Sequence, residues 1–217
     1  MLSHYRARFH GLADPLGRLL LRARVRPNHL TTLGFGVSVL AAVAFARGQL
    51  RVGAVLLVLA GLFDFLDGSL ARLSGQATRF GAFLDSVVDR YSDMVVLMGI
   101  AVLYHRQADQ AGLLLTLVAL AGTVMVSYTK ARAQSIGIAC EIGLMERPER
   151  MIALVAGAAF GLLTPAMLIL AILTNLTALQ RIHCVRRLTG PVPWRRAQKN
   201  ATPAPDAARP TTSVTPR

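Results

Sequence analysis

The stretch Asp64-Phe65-Leu66-Asp67-Gly68-Ser69-Leu70-Ala71-Arg72, followed after eight residues by Gly81-Ala82-Phe83-Leu84-Asp85-Ser86-Val87-Val88-Asp89, sets four carboxylates near the ends of two otherwise apolar segments. Charged groups at such positions are costly and point to function. On a helix, Asp64 and Asp67 are i,i+3 neighbours, with Gly68, Ala71 and Arg72 on the same face. Asp85 and Asp89 are i,i+4 neighbours, with Gly81 one turn earlier. Two such helices packed side by side would aim four carboxylates at one point. Negative charges that close stay ionised together only if cations join them, so the pattern implies a divalent metal site. An all-oxygen donor set favours Mg²⁺ or Mn²⁺ over zinc. Gly68 and Gly81 leave room for a ligand or a neighbouring backbone. The plain alternative is a set of membrane-edge charges without chemistry.

Composition agrees with a membrane setting. A chain of 217 residues has room for one domain. Its hydrophobic fraction of 53% and mean hydropathy of +0.48 point to a bilayer. The net charge of +13 raises nucleic acid as a partner, but only 6% of residues are aromatic and no RNA-binding motif is present. Arginines beside apolar spans suit anionic lipid headgroups better. Cys140 and Cys184 are far apart and lack ligand spacing, so they read as packing residues without a disulfide framework. The basic N-terminus is not followed by the apolar run and small residues of a cleavable signal peptide.

The expected fold is an all-α membrane protein, with six transmembrane helices preceded by an interfacial amphipathic helix. Residues 1–26 carry Tyr5, Phe9, Leu12, Leu16, Leu19 and Leu20 at helical spacing among arginines, the pattern of a helix lying in the interface. The transmembrane domain is expected over 27–187 and a disordered basic, Pro-rich tail over 188–217. Within the domain, spans are expected at Leu30–Phe45, Leu50–Arg72, Phe80–Tyr104 and Ala111–Ala133. Two short helices then share Met151–Ile182, broken at Thr164-Pro165. Asn28 or Thr31 can cap the first span, and its exposed N–H groups could equally hold a phosphate. Gly157-x-x-x-Gly161 allows a close helix contact, either between protomers or within one chain. Basic residues gather at both termini and in the loops after spans two and four. The positive-inside rule therefore expects a multi-pass cell-membrane protein with both termini and the carboxylates in the cytosol.

A second constellation lies on that same side. Lys130 ends span four, Arg147 and Arg150 begin span five, and Gln180-Arg181 ends span six. Anchoring at the membrane edge would explain basic residues there. Yet Glu146 and Glu149 are spaced to brace the arginines, and a phosphate-bearing ligand would need such a cradle.

The spacing D-x2-D-G-x2-A-R-x8-G-x3-D-x3-D, eight identities over 26 residues, resembles the signature of the CDP-alcohol phosphotransferases, membrane enzymes that move a substituted phosphate from a CDP-linked donor to an alcohol. Lys130-Ala131-Arg132-Ala133, Glu146-Arg147-Pro148-Glu149-Arg150 and the late Gln180-Arg181 resemble the phosphatidylinositol phosphate synthases within that family. The archaetidylinositol phosphate synthases are similar too. The resemblance implies that Asp64, Asp67, Asp85 and Asp89 hold two Mg²⁺ ions, with Mn²⁺ possible, and that Asp89 doubles as the catalytic base. It implies CDP-donor contacts at Asn28, His29, Leu30, Thr31, Gly68, Arg72 and Thr78. The acceptor phosphate would meet Lys130, Arg150, Arg181 and Arg147, and the enzyme would be a homodimer. The implied reaction passes a phosphatidyl group from CDP-diacylglycerol to D-myo-inositol 1-phosphate (3-phosphate), giving phosphatidylinositol phosphate and CMP. Glycerol 3-phosphate is the rival acceptor, as in a phosphatidylglycerol phosphate synthase. A cation transporter or channel is the rival from another class, and it would need carboxylates near the membrane midplane.

Overall fold

A computed structural model describes residues 27–73 and 78–189, with only the backbone described for Pro27 and residues 71–73. The interfacial helix expected over residues 2–26 and the tail from 190 lie outside the described residues, as does the side chain of Arg72. Among the described residues there are six α-helices and no strand: α1 (Pro27–Ala46), α2 (Leu50–Leu73), α3 (Arg79–Arg106), α4 (Gln110–Ser135), α5 (Arg147–Ala159) and α6 (Leu163–Thr189).

Local chemistry sets the helix ends. Pro27 opens α1, where its missing N–H costs nothing. The helix therefore begins ahead of Asn28 and Thr31, and neither is its cap. Thr78 caps α3 by accepting from the Gly81 N–H at 2.9 Å, and Asp109 caps α4 by accepting from Gly112 at the same distance. The break expected at Thr164-Pro165 falls earlier, at Phe160-Gly161-Leu162. Gly161 takes φ +72° there, which glycine adopts without strain. Pro165 then sits in the first turn of α6, where proline is tolerated.

The helices close into a ring in the order α1, α2, α5, α6, α4, α3, each packed on the next and α3 back on α1. This corrects the side-by-side packing expected of the two aspartate helices: α1 lies between α2 and α3. The intervening helix is rich in small residues, and a Cβ at Gly99 of α3 would overlap the Ala42 carbonyl of α1. Such close approach lets side chains from α2 and α3 meet past α1. Phe45, Ile100, Met167 and Leu170 fill the core. The Tyr104 hydroxyl meets Thr164 Oγ1 at 2.9 Å, tying α3 to α6. Gly157 faces Ala166 of α6, so this half of the glycine pair serves a contact within the chain.

Outward positions carry Val55, Leu114 and Leu179, each more than 60% exposed, a surface suited to lipid. Buried Thr116, Thr174 and Thr177 return their hydroxyl protons to carbonyls one turn earlier, which satisfies them without water. Three helices, α1 from Asn28, α4 and α6, are long and apolar enough to cross a membrane by length and composition. Helix α5 has 13 residues, about 20 Å at 1.5 Å per residue, against roughly 30 Å of hydrocarbon. Its first turn lies level with the aspartates of α2 and α3, where Arg147 meets Asp64 and Asp89.

The two cysteines depart from the packing role expected of them. Cys140, in the loop between α4 and α5, is disulfide-bonded to Cys184 of α6, with Cα atoms 6.6 Å apart. Separation along the chain concealed this, because the return of α6 past the loop is a tertiary event.

Candidate active site

Helix α2 presents Asp64 and Asp67 one turn apart, and α3 presents Asp85. One carboxylate oxygen from each lies within 4.8 Å of the others. Two oxygens bound to one Mg²⁺ at about 2.1 Å each stand at most about 4.2 Å apart, so a small adjustment would let the three share a cation. The Asp85 Oδ1 atom is buried and has no hydrogen-bond partner. A carboxylate with an unpartnered oxygen, grouped with two other carboxylates, fits a divalent cation, and the all-oxygen donor set fits Mg²⁺ or Mn²⁺. Asp67 is 4% exposed and accepts a hydrogen bond from Thr31 Oγ1 of α1 at 2.7 Å. Beside it, Gly68 faces open space where any Cβ would point, leaving room for a ligand.

Asp89 lies beside that trio, its carboxyl against that of Asp64, and Arg147 bridges the two. Its Nη1 lies 2.7 Å from Asp64 Oδ2 and 2.7 Å from Asp89 Oδ1. The guanidinium supplies part of the positive charge that the crowded acids require. Arg147 was expected among the acceptor residues; the structure places it between the acids and the basic cavity, and it lines both.

That cavity measures about 170 Å³ and is lined by Asp89, Asp93, Lys130, Glu146, Arg147, Arg150 and Arg181 among others. Lys130, Arg147, Arg150 and Arg181 therefore face one space together with Asp89, and Arg90 of α3 lines it as well. The bracing differs from expectation, however. Glu146 holds Arg181 at 3.2 Å and Lys130 at 3.7 Å, while Glu149 Oε2 is buried without a partner. Arg150 is held instead by Asp93 of α3, with Nη2 to Oδ2 at 2.7 Å. Nothing in the sequence reading selected Asp93. The available signal was its place one turn beyond Asp89 in an apolar helix.

Arg181 is both wall and clasp. It is 2% exposed and donates from Nε to the Ile142 carbonyl at 2.8 Å and from Nη1 to the Val126 carbonyl at 2.6 Å. A third N–H goes to Glu146; two of the five guanidinium protons are left for the cavity. Substituting Arg181→Ala takes the side-chain partner from the Ile142 carbonyl and leaves Glu146 with Lys130 alone, and a loss of about 1–3 kcal/mol of stability is expected. A thermal melt of the purified variant checks this, and an unchanged midpoint would contradict the clasp.

The donor residues divide. Thr31 and Gly68 border the acid cluster, and Thr78 sits at the α3 N-terminus with the Asn28 Oδ1 atom near Gly81. His29 is exposed. Leu30 is 3% exposed and packs on Leu66 and Leu70, anchoring α1 to α2.

Comparison with known proteins bears on this arrangement. The family model described as CDP-alcohol phosphatidyltransferase matches residues 24–185. The chain belongs to this family. Apolar helices and family together make it an integral membrane protein and an enzyme of this class. It is 39% identical over 189 residues to the archaetidylinositol phosphate synthase of Methanothermobacter thermautotrophicus, covering 84% of this chain and 92% of that one. A crystal structure of Mycobacterium tuberculosis phosphatidylinositol phosphate synthase with CDP-DAG bound is similar with a TM-score of 0.75 and 37% identity, over 80% of this chain and 92% of that one. The same relative in complex with manganese and citrate gives a TM-score of 0.74 at 36% identity, over 80% and 88% of the two chains.

Proposed function

We propose that the protein moves the phosphatidyl group of CDP-diacylglycerol onto inositol 1-phosphate (3-phosphate), releasing CMP. The observation that carries this reading is the position of Asp89, on the wall between the acid cluster and the basic cavity. Relatives named for this chemistry, one of them with CDP-DAG bound, support it.

Asp64, Asp67 and Asp85, with Asp89 closing the set, would hold two divalent cations, whose chemistry there is to neutralise and polarise the donor's pyrophosphate. Mg²⁺ is the proposed ion and Mn²⁺ a substitute, supported by the oxygen-only donors and by the relative solved with manganese. Thr31 fixes the Asp67 carboxylate, while Gly68, Asn28 and Thr78 leave and line the approach for the cytidine side, with Arg72 nearby in sequence. Lys130, Arg147, Arg150 and Arg181 hold the acceptor's phosphate, with guanidinium groups suited to paired contacts on phosphate oxygens. Asp89 takes the proton of the acceptor hydroxyl as its oxygen forms the new bond to the β-phosphorus. The bond from that phosphorus to the CMP oxygen breaks, and CMP leaves with the electron pair. All six helices would cross the cell membrane, the short α5 with help from its flanking loop, with the site and both termini cytosolic and the enzyme a homodimer.

Purified protein with CDP-diacylglycerol, Mg²⁺ and a panel of alcohols tests the reading by CMP release. Inositol phosphate should drive release, and free inositol should not. Release with glycerol 3-phosphate alone would move the assignment to a phosphatidylglycerol phosphate synthase. Ion flux without CMP release would move it to transport.

A further inference from the structure

The basic cavity contains two acids that neither the acid cluster nor the proposed proton transfer uses: Glu146, which holds Arg181 and Lys130, and Asp93. Asp93 lies at i+4 from Asp89 on α3 and is directed toward α5. Its Oδ2 receives Arg150 Nη2 at 2.7 Å, and its Oδ1 lies 3.6 Å from Arg147 Nε. Arg150 is 5% exposed. Its other contact is a long one, Nη1 to the Met145 carbonyl at 3.4 Å, and its Nε is buried without a hydrogen-bond partner. Asp93 is thus the anionic anchor of Arg150 and the acid that touches both arginines of the α5 first turn. Because it extends from the same helix as Asp89, it sets those cations at a fixed register from the proposed base.

We infer that Asp93 is a positioning residue for the acceptor: it aims Arg150, and with it Arg147, at the acceptor's phosphate without itself touching the reacting atoms. The inference rests on the reading of the 170 Å³ cavity as the acceptor site. Its physical content is a sign. A carboxylate near a phosphate repels it, so on charge alone the loss of Asp93 would tighten phosphate binding. If aim governs, the loss loosens binding, because a freed guanidinium gives up its paired geometry.

The experiment compares wild type with Asp93→Asn and Asp93→Glu in detergent, measuring acceptor KM, donor KM, kcat and inhibition by inorganic phosphate. Positioning predicts an acceptor KM and a phosphate Ki raised together by about ten- to a hundredfold, with donor KM and kcat within about threefold. Asp93→Glu keeps the charge and shifts it by one methylene, so it should show a smaller rise in both; it also preserves the test if the asparagine variant does not fold. Adding Asp93→Asn to an Arg150→Gln enzyme should change little further, because both act through one guanidinium. Acceptor KM that falls or stays level, or additive double-variant losses, overturns the inference. Phosphate that fails to compete with the acceptor in wild type overturns the cavity reading itself, and this inference with it. Use of glycerol 3-phosphate by wild type changes only the acceptor's name, since the same comparison then runs on that substrate.

Discussion

The Asp89→Asn enzyme is expected to release CMP at least about 10²–10⁴-fold more slowly than wild type, the usual worth of a positioned general base. Asparagine keeps the volume of the side chain and can still accept from Arg147, which bonds Asp89 at 2.7 Å. It cannot take up a proton, and it weakens whatever share Asp89 has in cation binding. The melting midpoint should therefore stay near that of wild type while turnover collapses. Measured in detergent with saturating donor and acceptor, near-normal turnover would remove Asp89 from the chemistry. A matched fall in stability would reassign it to the fold.

Removal of divalent cations is expected to have a larger effect still. With one oxygen each from Asp64, Asp67 and Asp85 inside 4.8 Å, the cluster meets a donor pyrophosphate with like charge on both sides. Cation assistance is worth several kcal/mol at such a site, and each 1.36 kcal/mol is tenfold in rate. Chelation should thus cost at least about a thousandfold, with recovery on adding Mg²⁺ or Mn²⁺. Bound cation should also raise the melting midpoint, since the folded state alone assembles the three carboxylates. Full CMP release in excess chelator would refute the metal assignment. Recovery with Zn²⁺ alone would contradict the reading from oxygen donors.

The acid cluster was legible in the sequence because its spacing is local: i,i+3 on one helix and i,i+4 on another commit those side chains to faces before any packing is known. The four cations were legible as helix-end residues. What holds them was not. Asp93 braces Arg150 across 57 positions, and Arg147 reaches Asp64 across 83. Such pairings depend on how α5 is seated, and its short length was visible only as an awkward count of apolar residues. The same reason hid the position of α1 between α2 and α3, which turns on small side chains at Ala42 and Gly99. Thr31 was noticed for its place near a helix start, yet its hydroxyl goes to Asp67, 36 positions on.

The cleft at the acids and the basic cavity share only Asp89 and Arg147 among their lining residues. In the proposed reaction, nucleotide and polyol then occupy separate rooms that meet at these two residues. The lipid product, made where the rooms meet, is the one species that belongs to both sides.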